Sequence, residues 1–94
     1  MTILRIEHPV PSYEGWKKAF DADPINRKRS GVIRYRIYRL IDNPKYVVVE
    51  LEFNNLQDAE TTLASLRKLW EKVEGSVMTG PQARILDMVE SVEL

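Results

Sequence analysis

Residues 32–53 read VIRYRIYRL, IDNPK, YVVVELEF: two runs rich in β-branched and aromatic residues, joined by a polar break. Such runs favour extended backbone, and Asp42-Asn43-Pro44 supplies turn chemistry between them. The stretch predicts a β-hairpin. With Leu40 placed opposite Tyr46, Arg36 meets Glu50 and Arg34 meets Glu52. In the same register Ile33 meets Phe53, Tyr35 meets Leu51 and Ile37 meets Val49. Side chains alternate between the two faces of a strand, so one register sends the apolar pairs one way and the Arg/Glu pairs the other. A slip of one residue would destroy both patterns.

Outward from the hairpin, residues 2–8 (TILRIEH) alternate as a first strand, which Pro9 and Pro11 stop. Ser12 can cap a helix that starts at Tyr13 and aligns Tyr13, Trp16, Ala19 and Phe20 on one side. Asp23-Pro24 breaks it, because the residue before proline disfavours helix. A polar connection, NRKRSG, leads into the hairpin. Beyond Phe53, Asn54 or Asn55 caps a second helix, with Asp58 near its positive end. Leu56, Ala59, Leu63, Leu66, Trp70 and Val73 give it an apolar stripe at three-and-four spacing. Gly75 ends this helix, and the loop GSVMTGPQ leads to a last strand over about 83–92.

The order β-α-β-β-α-β is the ferredoxin-like arrangement: one four-stranded antiparallel sheet with two helices on one face. Ile33, Tyr35, Ile37, Val47, Val49, Leu51 and Phe53 then belong under the helices. The other face gathers Val32, Arg34, Arg36, Tyr38, Leu40, Tyr46, Val48, Glu50 and Glu52. Tyr38, Leu40, Tyr46 and Val48 together are too apolar to be left to water, and a second copy is the simplest cover.

Residues 1–94 make one domain, and a chain of 94 residues buries only roughly 60–65% of its unfolded surface, so a partner subunit would help. Hydrophobic residues at 44% and charged residues at 30% describe a globular chain. Fourteen basic and fourteen acidic residues cancel, against the basic excess of a general nucleic-acid or anionic-membrane binder. The absence of cysteine excludes disulfides, thiolate metal sites and cysteine nucleophiles. No signal peptide or membrane-spanning run is present, and a cytoplasmic location is the expectation.

With this element order and the segment HPVPSYEGWKKAF (8–20) in hand, the chain resembles the dimeric α+β barrel proteins. That superfamily includes the antibiotic-biosynthesis monooxygenases and the haem-degrading monooxygenases, along with many small members of no assigned activity. The resemblance spans essentially the whole chain in element order and lies nearest those last members. It implies a homodimer whose sheets pack face to face, through the face carrying Arg34, Arg36, Tyr38, Tyr46 and Glu50. It also implies a pocket between each sheet and its own helices. The haem-degrading members pair an Asn on strand one with a Trp and a His on or after the second helix. Trp70 matches that Trp, but strand one carries Ile3, Leu4, Arg5 and Ile6, and no His follows Trp70. Of the Asn, Trp, His and Arg set in the cofactor-free quinone-forming members, only residue types recur.

His8, the single histidine, shares the parity of Leu4 and Ile6 and should point toward the helices near Tyr13 and Trp16. A neutral imidazole there can serve as acid, base or ligand; the alternative is a strand-end histidine bonded to backbone near Pro9. Trp16, Phe20 and Trp70 either line a pocket or fill a core. Tyr35, with His8, could bring polar groups into that apolar space. The four charges Arg34, Arg36, Glu50 and Glu52 fix register, each carboxylate kept ionised by the arginine opposite. Arg27-Lys28-Arg29 reads as a solvated loop. No cofactor and no metal site is expected. Three functions stay open: a small-molecule binder using Tyr13, Trp16, Phe20, Tyr35 and Trp70, an enzyme using His8 as base, and a dimer with a filled core.

Overall fold

Thr2–Pro9 forms the first strand, β1, whose alternate residues Leu4, Ile6 and His8 are buried on one side. Helix α1 spans Tyr13–Asp21, and Ser12 caps it: its hydroxyl oxygen accepts the Gly15 N–H at 3.2 Å. The hairpin is β2 (Val32–Leu40) and β3 (Asn43–Phe53). Helix α2 spans Leu56–Val73, and β4 spans Gln82–Asp87. The computed structural model describes residues 1–75 and 78–94. The strands lie in the order β2-β3-β1-β4, with every pairing antiparallel, so β3 and β1 are central and β2 and β4 are edges. This is the ferredoxin-like α+β fold that the element order predicts.

The core lies between sheet and helices. Leu4 and Ile6 from β1 and Val47, Val49, Leu51 and Phe53 from β3 pack with Trp16 of α1 and with Ala59 and Leu66 of α2. Of the two candidate caps for α2, Asn55 serves: its side-chain oxygen accepts the Asp58 N–H at 2.8 Å. Gly31 packs against this helix start with φ +102°, and a Cβ there would stand 2.6 Å from an Asp58 carboxylate oxygen. Both constraints call for glycine. In the α2 stripe, Leu63, Trp70 and Val73 are half-buried, Thr62 joins the buried set, and Leu56 at the first turn is 53% exposed.

The centre of the hairpin keeps the expected register: Arg34 pairs with Glu52, Tyr35 with Leu51, Arg36 with Glu50 and Ile37 with Val49. Both of its ends differ. Phe53 pairs with Val32, not Ile33, and the irregularity between Val32 and Arg34 leaves Ile33 as an extra residue. An extra residue reverses the side-chain parity beyond it. Val32 therefore packs against the core, and Ile33, expected under the helices, is 49% exposed. At the other end Leu40 pairs with Asn43 instead of Tyr46, and the turn is Ile41-Asp42. Pro44 has no N–H to give to the ladder, and the segment after it turns to β1: the Lys45 carbonyl accepts the Val10 N–H at 2.7 Å, and Tyr46 pairs with Pro9.

Strand β4 is shorter than the expected 83–92. Its ladder ends where Thr2 of β1 meets Asp87. One further bond, Met88 N–H to the Met1 carbonyl at 3.0 Å, closes the end. The expected loop over 75–82 includes Ser76 and Val77, which lie outside the described residues. Gly75 and Met78 are bonded to each other at 2.8 Å, and Met78 is buried.

The face of the sheet away from the helices carries the expected charges and rings, extended by Ile3, Arg5 and Glu7 of β1 and Gln82, Arg84 and Leu86 of β4. Tyr38, Leu40 and Leu86 are exposed on it. Glu52, whose side chain is 3% exposed, holds Arg34 at 2.7 Å. Glu50 instead accepts the Tyr38 hydroxyl at 3.0 Å, and Glu7 accepts the Tyr46 hydroxyl at 2.9 Å. Partial burial and the Glu50 bond raise the Tyr38 pKa, and the Glu7 bond raises that of Tyr46. Both hydroxyls stay protonated donors.

Candidate functional site

One cavity of about 130 Å3 lies between the sheet and both helices. Ile6, Val49 and Leu51 form its floor; Trp16, Ala19 and Phe20 of α1 and Leu66, Leu69 and Trp70 of α2 form its walls. The floor follows from strand alternation, since these residues share the helix-facing parity of β1 and β3. The α1 wall follows from helix spacing, which stacks Trp16 and Phe20 one turn apart with centroids 5.2 Å apart. Two polar side chains reach this apolar lining, His8 and Arg27.

His8 ends β1 on the floor side and is 2% exposed. Its ring meets Trp16 edge-on, with centroids 5.9 Å apart. The Nδ1 atom lies 3.2 Å from the Pro9 carbonyl oxygen. A carbonyl only accepts, so Nδ1 carries the proton and Nε2 keeps a lone pair. Nε2 has no hydrogen-bond partner among the described residues. Burial pushes the His8 pKa below its ordinary value, outweighing the opposite pull of the Pro9 carbonyl and of Glu74. The ring is thus neutral at neutral pH, both bonded to backbone near Pro9 and open to the cavity.

Arg27 was expected in a solvated loop with Lys28 and Arg29. Instead its side chain is 14% exposed and forms part of the cavity wall. Its guanidinium lies 4.0 Å from the Phe20 ring centroid and 5.0 Å from that of Tyr35. Nη1 donates to the Phe20 carbonyl at 2.8 Å and stands 3.4 Å from an Asp23 carboxylate oxygen. The sequence signal was Asp23, four residues before Arg27 and just past the end of α1. A charge run reads as solvated only if nothing nearby is placed to hold one of its members.

Of the six side chains singled out from sequence, four meet in this cavity: His8, Trp16, Phe20 and Trp70. Tyr13 and Tyr35 stand just outside the lining. Tyr13 packs on Trp16 with centroids 5.9 Å apart, and the Arg39 guanidinium lies 4.6 Å from the Tyr13 ring centroid. Tyr35 is 43% exposed and meets Phe20 edge-on at 5.2 Å, so its hydroxyl does not converge with His8. Among the described residues, no three histidine or carboxylate side chains gather in a way that could hold a metal ion. No helix among them is long and apolar enough to cross a membrane.

No protein-family model matches the chain, and no curated protein matches it in sequence. Solved structures do share its architecture. SnoaB, a cofactor-independent oxygenase from Streptomyces nogalater, aligns with a TM-score of 0.77 at 13% identity, over 97% of this chain and 95% of that one. A Deinococcus radiodurans protein assigned by name to the antibiotic biosynthesis monooxygenases aligns at 0.70 and 14% identity, over 100% of this chain and 98% of its own. A dimeric ferredoxin-like protein from an uncultured marine organism aligns at 0.67 and 13% identity, with 97% of each chain covered. At such identities the likeness is one of fold.

Proposed function

We propose that this chain is a homodimeric binding protein for a small apolar or aromatic molecule, held between sheet and helices by His8, Trp16, Phe20 and Trp70. The observation that carries this reading is the cavity. Three aromatic rings and aliphatic side chains surround it, and two polar groups interrupt it, the usual composition of a ligand site. A fully packed core of this size leaves few voids larger than a water molecule. Trp16 and Trp70 are the chain's two tryptophans, so ligand entry should change its intrinsic fluorescence. Titration with benzene-sized aromatics tests the reading: saturable quenching is expected, and no response at millimolar ligand would remove it.

A second reading, catalysis, is supported by the unpartnered Nε2 of a neutral His8 inside an apolar cavity. That atom can accept a proton from a phenol hydroxyl or an activated carbon. SnoaB, which shares the fold, is a cofactor-independent oxygenase. Oxygen uptake with single-ring phenols separates the two readings. Under the enzyme reading His8→Ala abolishes uptake while ring binding persists; uptake unchanged in that variant would dismiss His8 as base.

Self-association is supported by the apolar content of the open sheet face and by neighbours of this fold that are dimeric. The proposed interface is the face carrying Arg34, Arg36, Tyr38, Tyr46 and Glu50.

A further inference from the structure

We infer that the cavity selects a compact aromatic acid, with the Arg27 guanidinium as the group that holds its carboxylate. The inference rests on the binding role proposed above for this cavity. Lys28 and Arg29, the neighbours of Arg27 in the run, are exposed, while Arg27 alone reaches the wall.

The loop is built to put it there. Asp23, at φ +54°, folds the chain back at the end of α1, and its carboxylate accepts the Arg27 backbone N–H at 2.9 Å. The Arg27 carbonyl in turn accepts the Val32 N–H at 3.0 Å, which ties the loop to the start of β2. With its backbone fixed on both sides and Nη1 bonded to the Phe20 carbonyl, the guanidinium has little freedom to swing into solvent. Its stacking on Phe20 orients the fork.

At this end of the cavity one cation meets one carboxylate, but the contact is long and the carboxylate is the more exposed partner. Asp23 supplies one carboxylate, at 3.4 Å, and its side chain is 35% exposed against 14% for Arg27. The cation is therefore further from water than its counter-ion. Nη2 and Nε have no partner among the described residues, which leaves donors for a planar carboxylate. Charge-assisted bonds of this kind strengthen as water is excluded. The far polar group, His8, carries no charge that would favour a different ligand end.

Volume sets the size. An apolar cavity of about 150 Å3 accommodates benzene, and this one measures about 130 Å3. That is room for one ring at most, with a short acidic arm left at the Arg27 wall; a fused three-ring system does not fit.

The test compares benzoate with benzamide, its neutral isostere, on the full-length chain at neutral pH. Affinity is read by tryptophan fluorescence and location by the indole N–H signals of Trp16 and Trp70. Benzoate should bind at least tenfold more tightly, roughly the factor expected when one charge-assisted hydrogen bond is gained. Arg27→Gln should bring the two ligands to parity, and Arg27→Lys should recover part of the preference. Equal affinities in the unmutated chain would overturn the role of Arg27 while leaving the pocket standing. A benzoate preference that moves neither indole signal would place the anion elsewhere and overturn the inference. If neither ligand binds, the binding role fails along with it. The comparison in the unmutated chain decides the matter even if Arg27→Gln does not fold.

Discussion

His8 couples the cavity to the stability of the whole domain. Its folded pKa lies below the 6.5 of a free imidazole because burial disfavours the charged ring. The unfolded chain therefore takes up a proton at a higher pH than the folded one. Stability from keeping the ring neutral is fully present above the unfolded pKa and is lost as pH falls through it toward the folded value. Urea midpoints should drop between about pH 7.5 and about pH 5.5, above the range in which carboxylates titrate. His8→Gln should remove most of that drop; an unchanged pH dependence would count against the buried neutral ring. Thr62 presents the opposite case. It is 2% exposed within the α2 stripe, and its hydroxyl oxygen has no hydrogen-bond partner among the described residues. Leaving such a group unsatisfied costs about 1–3 kcal/mol. Thr62→Val keeps the shape and a similar helix propensity, so it should raise stability by about 1 kcal/mol in chemical denaturation. Any loss of stability would mean that the hydroxyl is satisfied after all.

Among the elements, the hairpin separates what patterning can show from what it cannot. Alternation over Arg34–Ile37 and Val49–Glu52 was enough to place the central pairs, because burial of one face specifies register strongly. Helix caps are local chemistry: Ser12 was legible outright, whereas the second cap was narrowed to Asn54 or Asn55, of which Asn55 serves. The extra residue at Ile33 was not. Val32 and Ile33 are both β-branched and apolar, so alternation alone does not tell which of them faces the core. Val32→Ala should cost about 1–2 kcal/mol, and Ile33→Ala within about 0.5 kcal/mol. The reverse order in denaturant midpoints would restore the regular register. Arg27 escaped notice for a related reason: its burial depends on a loop that positive-φ residues Asp23 and Asn26 fold back against α1, a shape that periodicity does not encode. The same limit applies to Tyr35, whose parity was read correctly although its edge strand lies beyond the cover of the helices.

For the whole molecule, the two sheet faces divide the labour. The helix side holds the cavity, and the open side holds a surface that is partly apolar and partly neutralised by its own charge pairs. Leu40 and Leu86 sit on that open side, on opposite edge strands, and are 41% and 37% exposed. Changing both to Glu should leave the protomer folded, since neither belongs to the core. Buried carboxylates without partners should weaken self-association at least tenfold, for which about 1.4 kcal/mol suffices. Sedimentation equilibrium reads this directly. A protein that is monomeric without any substitution would end the proposal of a sheet-to-sheet dimer.

The bond between Met88 N–H and the Met1 carbonyl, 3.0 Å long, has one more consequence. Positions 1 and 88 are distant along the chain and adjacent in space, so the backbone nearly closes a ring. With residues 89–94 removed, a short glycine-serine bridge should join them, with new termini cut at the exposed Ile41-Asp42 turn. Such a circular permutant should fold with the same circular dichroism spectrum, because every ladder pairing survives the rewiring. Its refolding rate should fall: β2 and β3, now joined by a tight turn, would become the first and last strands of the chain and would have to find each other across its full length.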